Sequence, residues 1–218
     1  MIRVFAGYDD REAIGFHVFV HSLFRHASEP VALTPVTGDQ RDGTNAFIYA
    51  RFLVPAMCEF KGWALFVDGS DMLVRDDVAK LWTMRDERYA VQVVQHDYQT
   101  RQSNKYRGTV LENRNEHYPR KNWSSVVLWN CEHPANAHLT RTFVRQAGGA
   151  YLHRFDWLDA NEIGGLPKAW NTLVGEHDHD AALAHYTYGL PCWPQYARDD
   201  YADEWRMELQ RVMQSGVA

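Results

Sequence analysis

The 218-residue sequence has few cysteines, no long apolar run and no excess of positive charge. Cys58, Cys131 and Cys192 are widely spaced and odd in number, which indicates reduced thiols and argues against a disulfide framework or a zinc site. No apolar stretch approaches the roughly 20 residues that span a bilayer, so we expect no integral membrane segment. The formal net charge of -5 argues against a general nucleic-acid binder. We expect a cytoplasmic protein whose contact with the inner membrane, if it has one, is peripheral.

Several nucleotide-binding and hydrolase motifs are also absent. No G-x-G-x-x-G follows the first predicted strand, and neither G-x-x-x-x-G-K-[ST] nor G-x-S-x-G occurs. These absences argue against a dinucleotide-binding fold, a P-loop NTPase and a hydrolase with a nucleophile elbow. The first residues lead directly into a predicted strand, so we expect no signal peptide.

Short apolar runs alternate with segments of helical spacing along the chain. Strands are predicted near 2–6, 31–36, 63–67, 89–94 and 124–129. Helices are predicted at 11–26, 46–60, 78–82, 140–146 and 203–213, with Asp9 or Asp10 capping the first and Pro55 interrupting the second. This alternation predicts one α/β domain with a mostly parallel sheet. The segments 38–45 and 96–120 are polar and predicted to be loops, and the segment 151–195 is predicted to be loop-rich.

The apolar run 63–67 is followed directly by Asp68-Gly69-Ser70-Asp71. Ligands of open α/β sheets bind outside the carboxyl ends of the strands, and paired carboxylates there suit Mg²⁺ or Mn²⁺. Gly69 permits close approach of the backbone to a phosphate. The alternative interpretation is an acidic turn with no ligand, because Asp, Gly and Ser are ordinary turn residues.

Three further segments carry polar side chains that suit a ligand site. His185, near a turn with Gly and Pro, either binds a metal through neutral imidazole or is simply packed. Arg51 either lies along an apolar helix face or reaches into the site to hold a phosphate or a carboxylate. Lys121, Asn122 and Ser124 precede a strand and either contact a diphosphate or sugar hydroxyls or form an exposed turn.

Acidic residues occur in two other places. Asp156, Asp159 and Glu162 alternate with Trp157, a pattern that suits either sugar binding or a solvated acidic turn around one core tryptophan. The residues His177-Asp178-His179-Asp180 are of the types that bind metals. No regular element is predicted to hold them in place, however, and we interpret them as a surface loop.

In chain order, these segments resemble glycosyltransferase family 8 and its smaller bacterial and phage-like relatives, which have the GT-A fold. The resemblance runs from about residue 2 to residue 193. It rests on Gly7-Tyr8-Asp9-Asp10, Val20-His21-Ser22-Leu23, Tyr49-Ala50-Arg51-Phe52, residues 65–74 and 77–82, residues 123–130, Leu166-Pro167 with Trp170-Asn171, and residues 185–193.

The resemblance implies a GT-A-type, Rossmann-like single domain over residues 1–218, with a nucleotide-binding half at 1–95 and an acceptor-binding half at 96–218 that ends in a helix. It implies a metal-dependent glycosyltransferase that moves a sugar from a nucleoside-diphosphate sugar, by default a UDP-sugar, to a hydroxyl of a glycan or another acceptor, with retention. Mn²⁺ or Mg²⁺ would be held by Asp68, Asp71 and His185. The implied donor contacts are Tyr8, Asp9, Arg51, Asp68, Lys121, Asn122, Ser124 and Trp193, and the implied catalytic candidates are Asp156, Asp159 and Glu162.

The sequence departs from the family pattern in three places. The D-x-D motif is one residue longer here, Asp68-Gly69-Ser70-Asp71, and the N-S-G segment reads Trp123-Ser124-Ser125. No lysine lies between Gly189 and Trp193, so the usual basic contact with the diphosphate falls to Lys121, Arg51 or Arg120. Two alternatives therefore stay open, a non-catalytic relative that binds nucleotide-sugars or glycans and a nucleotidyltransferase.

Overall fold

The computed structural model describes residues 1–38, 45–176 and 180–214. The strands are β1 (Ile2–Gly7), β2 (Val31–Val36), β3 (Trp63–Val67), β4 (Met72–Val74), β5 (Val91–Val93), β6 (Asn104–Lys105), β7 (Asn113–Arg114), β8 (Val126–Asn130), β9 (Ile163–Gly165), β10 (Thr172–Leu173) and β11 (Leu183–His185). The α-helices are α1 (Ala13–His26), α2 (Val54–Met57), α3 (Val78–Trp82), α4 (Arg141–Gln146), α5 (Gly149–His153) and α6 (Ala202–Gln214).

A six-stranded sheet lies at the centre, in the order β2-β1-β3-β8-β5-β9. β1 pairs in parallel with β2 and β3, and β5 pairs in parallel with β9. β8 runs antiparallel to both of its neighbours, β3 and β5. The predicted α/β fold with a mostly parallel sheet is therefore confirmed, with β8 as the one reversed strand of this sheet.

Apolar clusters cover both faces of the sheet. Along β3, Ala64 and Phe66 belong to one cluster, whereas Leu65 and Val67 belong to the other. α1 and α3 pack on the second cluster, while α2, α4 and α5 pack on the first. Because successive side chains of a strand point to opposite faces, a strand covered on both sides reads as a continuous apolar run.

The helix predicted at 46–60 is wrong. A 3₁₀ turn, Ala50–Leu53, leads into the single α-turn of α2, and Glu59 and Phe60 then adopt positive φ angles of 53° and 55°. Pro55 occupies the first turn of α2, where its missing N–H costs no hydrogen bond. The apolar periodicity of this segment arises from packing on the sheet and not from a long helix.

The other predicted elements agree closely with the structure. The strands at 31–36 and 63–67 and the helix at 78–82 have the predicted bounds. The first helix begins as a 3₁₀ turn, Asp10–Glu12, and Asp9 caps it through its side chain. The predicted loop 96–120 contains a short antiparallel hairpin of β6 and β7. Residues 39–44 and His177-Asp178-His179 lie outside the described residues.

A second, three-stranded sheet has the order β10-β11-β4. β4 follows the turn after β3, and β11 pairs antiparallel with it, so that His185 lies opposite Met72. This pairing brings a late part of the chain to the carboxyl end of β3. None of the helices that the structure describes combines the length and apolarity needed to cross a membrane.

Candidate functional site

A tight turn at the carboxyl end of β3 carries the two aspartates. The Asp68 amide donates to the Ser125 carbonyl at 2.9 Å, and the Met72 amide donates to the Gly69 carbonyl at 3.0 Å. Gly69 has a φ angle of 76°, and a Cβ there would lie 2.9 Å from the Gly7 carbonyl oxygen. Only glycine adopts this conformation in the available space. The turn directs both carboxylates toward the same point.

His185 completes a three-residue group with these aspartates. Its Nε2 lies 3.2 Å from Asp71 Oδ2 and 3.8 Å from Asp68 Oδ2. One potential ligand atom from each residue lies within 4.8 Å of the other two, and all three residues are buried. The sequence predicted these three residues as metal ligands, and the structure brings them together.

Asn171 orients the imidazole of His185. Its Oδ1 lies 2.8 Å from His185 Nδ1, and its Nδ2 donates to the Asn122 carbonyl at 3.1 Å. The Asn171 oxygen can only accept, so Nδ1 donates to it, and Nε2 is the ring nitrogen that faces the aspartates and could bind a metal. Asn171 belongs to the W-N pair of the resemblance, but the sequence did not mark it as a site residue.

The chemistry of the group suits a hard divalent cation. Asp71 Oδ1 is buried and has no hydrogen-bond partner among the described residues. Burial raises the pKa of Asp68 and outweighs the charge of Arg51. Burial also pushes the pKa of Asp71 upward, but the charge of His185 and its hydrogen bond bring that pKa below its usual value. Arg51 and His185 already lie beside the two carboxylates, and two carboxylates with one imidazole form a ligand set that fits Mn²⁺ or Mg²⁺.

Arg51 forms a buried ion pair with the first aspartate. Its Nη1 lies 2.6 Å from Asp68 Oδ1 and donates to the Ser124 carbonyl at 3.0 Å. The guanidinium lies 5.3 Å from the centre of the Phe47 ring and 5.2 Å from that of Phe66. Arg51 thus positions Asp68, while its predicted contact with a phosphate stays a prediction.

The group opens into a cavity of about 620 Å³. Arg51, Asp68, Asp71 and His185 line it, and the β6–β7 hairpin contributes part of its wall. Further lining residues that the sequence did not single out are Glu12, Lys105, Tyr106, Asn115, Tyr118 and His153. A space of this size suits a small organic ligand.

Glu12 is an additional buried carboxylate of this cavity. It is 3% exposed, and its Oε1 has no hydrogen-bond partner among the described residues. Burial and the nearby charge of Asp71 raise the pKa of Glu12 to about 8. The Tyr106 hydroxyl donates to Asp71 Oδ2 at 3.3 Å, so the hairpin contacts the aspartate directly. The local sequence around Glu12 gave no signal, because it reads as an ordinary helix start.

Besides Arg51 and Asp68, three further predicted donor contacts, Lys121, Asn122 and Ser124, line the cavity. Lys121 Nζ donates to Asn115 Oδ1 at 2.7 Å and to the Glu116 carbonyl, and burial lowers its pKa to about 8. Ser124 Oγ lies 2.7 Å from His153 Nδ1. Asn122 adopts a left-handed conformation with a φ angle of 66°. These residues are buried, so the alternative of an exposed turn is wrong.

Three other predicted donor contacts lie outside the described cavity lining. The Asp9 carboxylate is paired with Arg11 Nη2 at 2.6 Å and accepts a hydrogen bond from the Ala46 amide at 3.0 Å. Tyr8 packs edge-on against the Phe16 ring, with the ring centres 5.1 Å apart. Trp193 packs against Tyr106 of the hairpin, with the ring centres 5.8 Å apart. The geometry gives Asp9 a structural role and leaves the donor contacts of Tyr8, Asp9 and Trp193 as predictions.

The structure does not bring the three acidic catalytic candidates to the cavity. Asp159 and Glu162 form a capping box around the 3₁₀ turn Ala160–Glu162, and Asp156 is exposed. Trp157 stacks on Trp129 at 6.4 Å between ring centres, so it belongs to the core. The alternation of acid and aromatic side chains here reflects a capped turn over a core tryptophan. An acceptor contact by these acids stays a prediction.

Comparisons with known proteins agree with this fold. No protein-family model matches the chain. Protein CDI of Arabidopsis thaliana is 38% identical over 228 residues, which cover 95% of this chain and 86% of that protein.

Solved glycosyltransferases share the fold at low sequence identity. The galactosyltransferase LgtC, solved with donor and acceptor sugar analogues, is 13% identical with a TM-score of 0.60, and the match covers 96% of both chains. The glycosyltransferase GlyE of Streptococcus pneumoniae TIGR4 is 13% identical with a TM-score of 0.63, and the match covers 98% of this chain and 62% of GlyE. The bifunctional glycosyltransferase WbbM is 14% identical with a TM-score of 0.60. This chain spans about half of WbbM, with 51% covered.

Proposed function

The chain belongs to the same family as Protein CDI of Arabidopsis thaliana, and we propose that it is a metal-dependent glycosyltransferase. It would transfer a sugar from a nucleoside-diphosphate sugar, by default a UDP-sugar, to a hydroxyl of a glycan or another acceptor. One observation carries this proposal. The buried group of Asp68, Asp71 and His185 lies at the carboxyl end of β3 in a GT-A fold, where it faces a cavity of about 620 Å³.

Asp68, Asp71 and His185 would hold Mn²⁺ or Mg²⁺. A bound divalent ion neutralises the charge that develops on a diphosphate leaving group. Arg51 orients Asp68, and Asn171 orients His185, so each has a neighbour that holds its side chain in place.

Both proposed halves of the chain contribute to the cavity. Arg51 and Asp68 come from the 1–95 half, while Lys121, Ser124 and His185 come from the 96–218 half. This arrangement supports a donor site between a nucleotide-binding half and a half that completes the site. Retention of anomeric configuration is part of the proposal and rests on the resemblance alone. A cytoplasmic location is part of the proposal and rests on the sequence alone.

A donor panel tests the proposal. Thermal shift and donor hydrolysis would be measured for the full chain with UDP-, GDP- and ADP-sugars, each in Mn²⁺, Mg²⁺ or EDTA. We expect stabilisation by one nucleotide class that requires metal, together with slow release of the sugar. Binding without sugar release would favour the non-catalytic relative, and pyrophosphate release from a nucleoside triphosphate with a sugar phosphate would favour the nucleotidyltransferase. No response to any donor would contradict the proposal.

Variants of the group separate a metal site from a packed core. Asp71→Asn should abolish metal-dependent donor binding, and unchanged donor affinity would remove Asp71 from the site. His185→Ala should weaken metal affinity more than fold stability, whereas an equal loss of melting temperature with and without metal would indicate a structural histidine. Asp97→Asn is the matched control, because Asp97 is exposed and lies outside the cavity lining.

A further inference from the structure

The cations proposed to contact a diphosphate already have partners. Arg51 is paired with Asp68, and Lys121 Nζ is bonded to Asn115 and to the Glu116 carbonyl. Arg120 donates to the Arg154 carbonyl and lies over the Trp123 ring, outside the described cavity lining. These three cations have structural partners that a phosphate would have to displace.

Lys105 differs from these cations in its surroundings. It lies on β6, half-buried in the cavity wall, and no hydrogen bond or ion pair joins its Nζ to a residue that the structure describes. Burial lowers the pKa of Lys105, and the negative charges of Asp71 and Asp68 act in the opposite direction. Lys105 therefore lines the same cavity as the carboxylates of the proposed metal site and lies within reach of their charge.

The hairpin that carries Lys105 is attached to the segment after His185. The Tyr106 amide donates to the Tyr188 carbonyl at 2.6 Å, and the Tyr106 ring packs on Trp193. Residues 189–193 are the segment in which the sequence lacks the basic residue that the family resemblance implies. The hairpin thus holds a lysine beside the segment that has none.

We propose that Lys105 is the residue that binds the diphosphate of the donor and compensates its negative charge. This inference rests on the proposed function. A diphosphate that shares an ion with Asp68 and Asp71 must lie beside these carboxylates. Lys105 lines the same cavity, and its Nζ has no hydrogen bond or ion pair with a described residue. An ammonium group suits this position as a compact point charge with three donors.

Calorimetry with three probes tests the proposal on the full chain. The probes are Mn²⁺ alone, a nucleoside diphosphate with Mn²⁺, and the matching nucleoside monophosphate with Mn²⁺, taken in turn from the UDP, GDP and ADP series. Lys105→Met should weaken diphosphate binding by about 10- to 100-fold, as expected for loss of a charge-assisted hydrogen bond. Binding of the monophosphate should change far less. Mn²⁺ alone should bind as tightly as in the wild type or more tightly, because a positive charge beside its ligands is removed.

Two further variants complete the test. Lys105→Arg should retain most of the diphosphate affinity, since it keeps the charge. Arg107→Met is the matched control, because Arg107 lies on the same hairpin but is exposed and lines a separate cavity with Tyr98 and Tyr188. It should bind all three probes like the wild type.

The outcomes distinguish this inference from the proposed function. If the wild type binds no nucleoside diphosphate in the presence of metal, the proposed function fails and Lys105 fails with it. If the wild type binds one and Lys105→Met binds it equally well, only the inference about Lys105 is overturned. Equal losses for the diphosphate, the monophosphate and Mn²⁺ alone would show that Lys105 merely supports the hairpin, which also overturns the inference.

Discussion

The side chain of Asn171 joins His185 to the loop before β8. Its Oδ1 lies 2.8 Å from His185 Nδ1, and its Nδ2 donates to the Asn122 carbonyl at 3.1 Å. Asn171 is fully buried, at 0% exposed, so water does not compete for these bonds. The orientation of the imidazole is therefore set before any metal arrives.

Asn171→Ala should weaken Mn²⁺ binding by about 10- to 100-fold, the usual effect of removing a group that orients a metal ligand. Asn171→Asp is the matched variant, since it keeps an oxygen acceptor for His185 Nδ1 and should bind Mn²⁺ more tightly than the alanine variant. A calorimetric Mn²⁺ titration measures both. Unchanged Mn²⁺ affinity in the alanine variant would show that His185 does not depend on Asn171.

Arg51→Met should destabilise the metal-free protein by about 3–5 kcal/mol, because it leaves the Asp68 carboxylate buried without its partner. Added Mn²⁺ should restore part of this loss, since the ion replaces the missing positive charge. Urea unfolding with and without Mn²⁺ measures the effect. The free energy of unfolding of Arg51→Lys should lie between those of the wild type and Arg51→Met. The same destabilisation with and without Mn²⁺ would contradict a shared electrostatic role for Arg51 and the metal.

Glu12→Gln should stabilise the metal-free protein in neutral and alkaline solution. The pKa of Glu12 is raised from 4.5 to about 8 by burial, so the folded state holds a proton that the unfolded chain releases between these values. Stability therefore falls as the pH rises through this window, and glutamine removes that loss. The gain at pH 7 should be on the order of 1–3 kcal/mol.

Urea unfolding of the wild type and Glu12→Gln at pH 4 and pH 7 tests this prediction. The difference between the two proteins should be smaller at pH 4, where Glu12 is protonated in the folded state and mostly protonated in the unfolded chain. An equal difference at both pH values would show that packing, and not ionisation, causes the effect.

Glu208 joins α6 to α1 and should contribute to stability through its charge. Its carboxylate is 1% exposed and contacts His21 Nδ1 at 2.5 Å, Arg25 Nε at 3.1 Å and Arg211 Nη1 at 2.7 Å. Burial raises the pKa of Glu208, but the hydrogen bonds from His21, Arg25 and Arg211 bring it below its usual value. The stabilisation is thus present above the ordinary pKa of 4.5 and is lost as the pH falls through the lower folded value.

Glu208→Gln should lower the free energy of unfolding by about 1–2 kcal/mol at pH 7, a modest value because the arginine partners are partly exposed to solvent. Urea unfolding at pH 7 and pH 3 measures it, and the difference from the wild type should shrink at pH 3. Glu204→Gln is the comparison variant on the same helix, since Glu204 pairs with Arg75 at the surface. If Glu204→Gln lowered the free energy of unfolding more than Glu208→Gln does, the buried ion pairs of Glu208 would not be the main contribution of α6.

Local sequence predicted the elements that pack on both faces of the sheet. The run 63–67 became β3 with the predicted bounds, and the turn that follows carries both aspartates of the candidate metal site. The prediction of one helix at 46–60 failed, because apolar residues at helical spacing also occur where a series of short turns packs on a sheet. Asp159 and Glu162 failed to reach the cavity because the same acidic residues satisfy a local capping box.

The sequence by itself determined the alternation of strands and helices and the position of two carboxylates at the end of β3. It also supplied His185 as a candidate, through its likeness to a known motif. Only the tertiary structure decided that His185 meets Asp71, which is 114 residues away, because the antiparallel pairing of β11 with β4 sets that contact. The tertiary structure also brought Glu12 and Lys105 into the same cavity. Contacts of this kind depend on which strands and loops become neighbours in space, and no spacing along the chain encodes them.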